Sequence, residues 1–251
     1  LFRILDTKED ERDRTEEPEL LDFPYVNGGL FEDGNIIIPQ IDAKTQALMT
    51  ETSDFNWSEI SPTIFGAVFE STLNQETRRK GGMHYTSIEN IHKVIDPLFL
   101  DDLKNEYQTI CEYKQPNVKR QKFREYQNKL GSLKFLDPAC GSGNFLTETY
   151  LSLRTIENEV IKNLIELDKD VQDNQIAMGH LGTNDFIKVN LSQFFGIEIN
   201  DFAVSVAKTA LWIAESQMLK ESQNIVSSNL DCLPLKSYVN IIEGNALRMD
   251  W

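Results

Sequence analysis

The chain has 251 residues, 40% of them hydrophobic and 26% charged, with a net charge of −15. That balance suits a globular α/β domain with a large core, and the acidic excess argues against a free-standing nucleic-acid grip built on Lys and Arg. No apolar run approaches the ~18 residues of a membrane span and no signal-peptide pattern opens the chain, while Cys111, Cys140 and Cys232 match neither a zinc spacing nor a disulfide framework and read as reduced cytosolic thiols.

In chain order, residues 1–22 are acidic and weakly periodic, a short helix or an extended lead-in. Residues 23–31 gather Phe23, Tyr25 and Phe31 around Pro24 and a Gly-Gly turn, the makings of an ordered loop. Residues 36–39 read as an edge strand closed by a proline. Ser61-Pro62 predicts a helix start, with Ser61 as N-cap and Ile64, Phe65, Val68, Phe69 and Leu73 on one apolar face. A basic connection, 78–82, leads to Met83-His84-Tyr85-Thr86-Ser87. Thr86 with Glu89 fits a capping box for a helix burying Ile88, Ile91, Val94, Ile95 and Leu98.

A helix over 118–130 follows, ended by Gly131. It carries much of a basic stretch (Lys114, Lys119, Arg120, Lys122, Arg124, Lys129, Lys134) that reads first as a solvated face and second as a phosphate-contacting patch. Residues 133–136 form a short buried strand, and a helix of about five turns starts near Phe145. Polar residues 168–190 read as an inserted loop. A second strand, 194–199, carries Glu198, a helix capped by Asn200 or Asp201 runs to Leu219, and a third strand, 239–243, precedes Gly244-Asn245-Ala246. This alternation calls for a parallel sheet with right-handed crossovers. Three parts result: a lead-in (1–60), a helical region (61–132) and an α/β half-domain (133–251).

The organising stretch is Phe135-Leu-Asp-Pro-Ala-Cys-Gly-Ser-Gly-Asn-Phe145. A strand ends in the carboxylate Asp137, two glycines let the backbone approach a ligand, and the next helix presents free N–H groups. Dinucleotide binding fits poorly: the third glycine of G-x-G-x-x-G falls on Leu146, and Glu198 stands far beyond the ~20-residue distance expected of the ribose acid. A phosphate-binding P-loop is absent, since no Gly-Lys-Ser or Gly-Lys-Thr occurs. Cys140 inside the turn reads as a small filler, because no His or Asn is arranged to activate it.

Together these motifs resemble the class I S-adenosylmethionine (AdoMet)-dependent DNA methyltransferases. Asp137-Pro138-Ala139-Cys140-Gly141-Ser142-Gly143 looks like their first motif in its adenine-N6 form. Gly82-Met-His-Tyr-Thr-Ser87 looks like the upstream G-x-x-Y-T-P element, with Ser87 in place of Pro. Glu198 looks like the ribose-binding acid, and Gly244-Asn245-Ala246-Leu247 like the element reading the adenine ring. The order is that of the gamma group, and the resemblance extends to the methyltransferase regions of large single-chain type II restriction–modification enzymes. It implies an α/β fold: a partial Rossmann-like sheet of the first three parallel strands, preceded by a mainly helical region.

The resemblance further implies AdoMet as cofactor, with His84, Tyr85, Thr86, Asp137, Pro138, Ala139, Cys140, Gly141, Ser142, Gly143, Asn144, Phe145, Glu198, Ile199, Asn245 and Ala246 around it and no metal. AdoMet carries a carboxylate, an ammonium, a sulfonium and an adenosine. Asp137 suits the ammonium end, the turn N–H groups and Thr86 the carboxylate, Glu198 the ribose hydroxyls, and Asn245 the adenine edge, with Ile199 and Ala246 as apolar faces. The implied partners are DNA carrying a flipped adenine and the rest of the same polypeptide, in the cytoplasm of a bacterium or archaeon.

One departure matters. The family's Asn-Pro-Pro-Tyr element, which holds the target amine in line with the methyl donor, does not occur in these residues. The chain is therefore expected to be part of a longer enzyme, binding AdoMet without transferring its methyl. The strand at 133–136 is expected to expose an edge open to self-association. Two other readings remain: an adaptor whose helical half docks a partner, and a methyltransferase acting on RNA or protein.

Overall fold

The structure, a computed structural model, describes residues 2–13, 15, 17–26, 40–54, 60–72, 85–169, 186–226 and 240–250, without the side chains of Phe2, Phe65, Phe69, Glu70, Thr72 and Lys169. The expected edge strand at 36–39, the Gly-Gly turn, the connection at 78–82, Leu73, His84, Cys232 and most of the insertion lie outside the described residues. The described residues up to Ser61 form one compact unit and those from Pro62 onward another.

The first unit is short helices around one buried cation. Helices α1 (Phe2–Asp6) and α2 (Pro18–Leu21) flank Arg12, which is 8% exposed. Its guanidinium donates to the carbonyls of Thr7 (3.0 Å), Leu21 (3.0 Å) and Phe23 (2.6 Å), so three chain segments end on one side chain. Helix α3 (Ala43–Ser53) starts at Asp42, whose carboxylate accepts from Thr45 N at 2.7 Å, an ordinary N-cap.

The second unit holds the sheet. Strands β1 (Phe135–Asp137), β2 (Phe194–Glu198) and β3 (Asn240–Glu243) pair in parallel in the order β1-β2-β3, with Asp137 opposite Gly196 and Glu198 opposite Glu243. Parallel neighbours need helical crossovers: α8 (Asn144–Lys169) follows β1 and α9 (Asp201–Val226) follows β2. The two helices pack along each other, and Leu153 and Val160 of α8 and Ala207, Ala210, Leu211 and Ala214 of α9 are fully buried. Phe135 and Phe194 stack at 5.4 Å, and Tyr150 of α8 meets Phe194 edge-on at 5.5 Å, fixing that helix over the sheet.

Before the sheet come α4 (Ile64–Thr72), α5 (Ile88–Ile95), α6 (Asp101–Cys111) and α7 (Pro116–Ser132). Several expectations shift here. Pro62 and Thr63 form a turn, so α4 begins at Ile64 and not at Pro62. Ile64 (43% exposed) and Val68 (54%) point outward. The face turned inward carries Gly66, whose missing Cβ would stand 2.4 Å from Ser142 Oγ and 2.7 Å from Asn144 Oδ1. Of the expected apolar face, the side chains of Phe65 and Phe69 and all of Leu73 lie outside the described residues.

Thr86 is not the cap of α5: Ser87 Oγ accepts from Asn90 N, and Glu89 pairs with Lys93 at 2.8 Å. Two adjacent hydroxyls made either assignment sterically open, and the chain uses the second. The apolar stripe also loses phase. Pro97 has no N–H to donate to the preceding turn, and Asp96–Leu100 wind as a π-type turn in which Asp101 N donates to Asp96 O. Ile91, Ile95 and Leu100 are buried, whereas Val94 (49%) and Leu98 (70%) face outward. Basic residues of the 114–134 stretch are engaged locally: Arg120 with Asp168 (2.8 Å), Lys122 with Glu125 (2.7 Å), Lys119 with the Cys111 carbonyl (2.9 Å) and Lys129 with Glu106. This favours a solvated helix face.

Candidate functional site: the carboxyl ends of the three strands

Ligands of open parallel sheets sit beyond the carboxyl ends of the strands, where successive loops diverge. Here three such ends converge on Glu198, 7% exposed. Its Oε2 accepts from Gly141 N at 2.8 Å and its Oε1 from Asn200 N at 2.9 Å, while its backbone carbonyl accepts from Gly244 N at 2.8 Å. One residue thus fastens the turn after β1, its own turn into α9, and the exit of β3.

The turn after β1 is built by its glycines. Gly141 (φ +54°) and Gly143 (φ +76°) both occupy the left-handed region, strained for a side-chain-bearing residue. Nothing lies within 4 Å of a Cβ placed on Gly141, so the space beside it is open, whereas one on Gly143 would meet Ala207 Cβ at 2.8 Å. The turn is stitched to β2 by Cys140 N donating to Ile197 O at 3.0 Å, and closed by Gly143 N donating to Cys140 O at 2.8 Å. Ser142 is half-buried, Asn144 is buried and opens α8, and Phe145 follows half-buried. Pro138 and Ala139 are exposed, and Ala139 N donates to Asp137 Oδ1 at 3.0 Å.

The site is electrostatically negative. Burial raises the pKa of Asp137; its bond from Ala139 N opposes this, and the nearby Glu198 carboxylate raises it further. The Cys140 thiol is pushed up to about 12, first by burial and then by Asp137 and Glu198. At neutral pH that thiol stays protonated, in keeping with a filler and not a nucleophile. Such a pocket favours a cationic group near Asp137.

Around this centre the Asn245 side chain accepts from Leu247 N at 3.0 Å and caps a 3-10 turn over Ala246–Arg248. Ile199 is 61% exposed and Ala246 half-buried. Phe202 is 56% exposed near the same strand end, two residues after Asn200, which caps α9 (Ala203 N to Asn200 Oδ1, 2.9 Å). Tyr85 and Thr86 are half-buried immediately before α5, which packs against α8. Gly66, Asn200 and Phe202 are site neighbours that motif reading passed over. The Asn200 cap was legible in the sequence; a close approach by Gly66 carries no local signal.

A parallel sheet with a glycine turn after its first strand and a buried acid at the end of its second defines a partial Rossmann-like α/β fold. The family model of the MmeI DNA-methyltransferase domain matches residues 113–251, more than half of the chain. The chain belongs to the MmeI DNA-methyltransferase domain family. It is 41% identical, over its full length, to DNA methyltransferase A of Bacillus subtilis (strain 168), covering 26% of that protein. It is 27% identical to a putative type II restriction enzyme and methyltransferase of Methanocaldococcus jannaschii, over 85% of this chain and 20% of that one. Among solved structures, the type IIL restriction–modification enzyme MmeI in complex with DNA superposes with a TM-score of 0.83 at 37% identity, over 100% of this chain and 31% of that chain. The chain therefore spans about a quarter of the length of the curated relatives it matches.

Proposed function

We propose that this chain is the AdoMet-holding part of a DNA methyltransferase that modifies adenine at N6 within a restriction–modification enzyme. The observation that carries the reading is the Glu198-fastened glycine turn, with open space at Gly141 and a negative flank at Asp137. AdoMet fits that set: bound there, it supplies an electrophilic methyl on a sulfonium. Asp137 would face its ammonium end. The N–H groups of the turn, backed by Thr86 with His84 and Tyr85 beside it, would take the carboxylate. Each Glu198 oxygen already accepts one backbone N–H and keeps a second lone pair for a ribose hydroxyl. Asn245 would meet the adenine edge, with Ile199 and Ala246 on its faces.

DNA with a flipped adenine is the acceptor in this reading. The acceptor amine would be held by an Asn-Pro-Pro-Tyr element elsewhere in the same polypeptide, since residues 1–251 contain none. Titration calorimetry of residues 1–251 with AdoMet tests the proposal. Binding is expected, with Asp137→Ala and Glu198→Ala each weakening it by about tenfold or more, the loss of a charged hydrogen-bonding partner. Methyl transfer to adenine-containing DNA by these residues alone is expected to be absent. Unchanged affinity in both variants would remove the site assignment.

A further inference from the structure

The ring of His92 on α5 reaches two carboxylates with its two nitrogens. Nδ1 lies 2.7 Å from Asp96 Oδ1, one turn along, and Nε2 lies 3.0 Å from Glu148 Oε1 one turn into α8, 56 residues away in sequence. An ionised carboxylate only accepts, and a neutral imidazole has a single N–H, so both contacts are hydrogen bonds only when the ring carries both protons. The contact lies one turn inside the starts of the two helices that border the pocket: α5 begins after Tyr85–Thr86 and its N-cap Ser87, and α8 begins directly after the glycine turn.

Resting on the function proposed above, we propose that His92 is a positioning residue: as an imidazolium held by Asp96 and Glu148 it clamps the Tyr85–Thr86 end of α5 to the glycine-turn end of α8 and sets the spacing between the two sides of the AdoMet pocket. Among the described residues, the charged groups bonded to or acting on the ring are Asp96 in the π-type turn and Glu148 on α8; Glu89 and Lys93 on its own helix engage each other at 2.8 Å. The hydrogen bond to Asp96 raises the His92 pKa most, burial opposes it, and Glu148 raises it again. The clamp is therefore complete below the unfolded value of ~6.5 and is lost as pH rises through the higher folded value.

The experiment measures AdoMet affinity by calorimetry from pH 6.0 to 8.5, with melting temperatures on the same samples, for the wild type, His92→Gln and Glu148→Gln. Because the amine of AdoMet itself titrates near pH ~8, the readout is the ratio of variant to wild-type affinity at each pH. Both variants are expected to bind about three- to tenfold more weakly than wild type at pH 6.0, a coupling typical of a residue acting through packed elements, and to converge on it by pH 8.5. A ratio that stays constant with pH in both variants overturns the clamp. Absence of AdoMet binding by the wild type at every pH instead rejects the functional reading. The clamp is then decided by the melting temperatures: the wild-type advantage over His92→Gln must shrink from pH 6.0 to 8.5, and an advantage that does not shrink overturns it.

Discussion

Burial and the neighbouring Glu198 carboxylate both oppose ionisation of Asp137 in the fold. A carboxyl group whose folded pKa is raised favours the fold below its unfolded value, and that contribution is lost as pH rises through the folded value. Above that folded value the ionised Asp137 is thus a cost to the fold. Asp137→Asn, which keeps an oxygen to accept from Ala139 N, is expected to raise stability at pH 7 by ~0.5–2 kcal/mol, the usual gain at a functionally strained position, while weakening AdoMet binding. Chemical denaturation and calorimetry on one preparation check both signs. Gly66→Ala should act oppositely on stability. Its methyl meets the Ser142 hydroxyl and the Asn144 amide, which are side-chain ends able to turn, so the overpacking cost is expected at the low end, ~1 kcal/mol. AdoMet affinity should fall with it. At this scale Asp137, the glycines and Glu198 were legible because their chemistry is written in contiguous residues. Gly66 was not, since its role depends on a partner across the fold.

Among elements, β2 is held at its entry by a buried ionic knot. Glu157 on α8 accepts from Gln127 Nε2 (2.9 Å), Lys188 N (2.6 Å) and Val189 N (3.3 Å) and pairs with Arg154, both members of the pair being fully buried; Arg154 continues to Ser222 on α9 at 2.6 Å. Removing one member leaves a buried charge uncompensated, so Glu157→Ala is expected to cost ~3–5 kcal/mol, seen as a lowered urea midpoint. The segment it anchors, 186–190, leads through a 3-10 turn (Leu191–Gln193) into the strand that ends at Glu198. Along the sheet, β1 pairs only with β2 among the described residues, and Leu136 is 46% exposed. Unpaired edges recruit partners. Residues 1–251 are therefore expected to self-associate with concentration in sedimentation velocity, and Leu136→Lys to reduce this. The three parallel strands and the two long helices between them were readable from periodicity. The phase of the α5 stripe was not: the missing N–H at Pro97 redirects Leu98, while Ile88 and Val94 are exposed before it.

For the whole molecule, family membership is that of the MmeI DNA-methyltransferase domain, and methyl-donor binding at the carboxyl ends of the strands is the function proposed above. Among the described residues no helix is long and apolar enough to cross a membrane. If AdoMet binds only the folded chain, excess ligand must stabilise it by mass action, by ~2.7 kcal/mol at a hundredfold excess over Kd. A melting temperature indifferent to AdoMet would contradict this. The lead-in unit around Arg12 had no readable purpose in sequence, since its order comes from one guanidinium satisfying three distant carbonyls. The Glu198 junction has a counterpart in time. Its bonds cover the amide hydrogens of Gly141, Asn200 and Gly244, which belong to three separate loops. Solvent can reach the first two only when the carboxylate lets go, and the third only when β3 parts from β2. In deuterium exchange the amides of Gly141 and Asn200 should therefore open as one event, with Gly244 following the β2–β3 ladder. AdoMet should slow all three together.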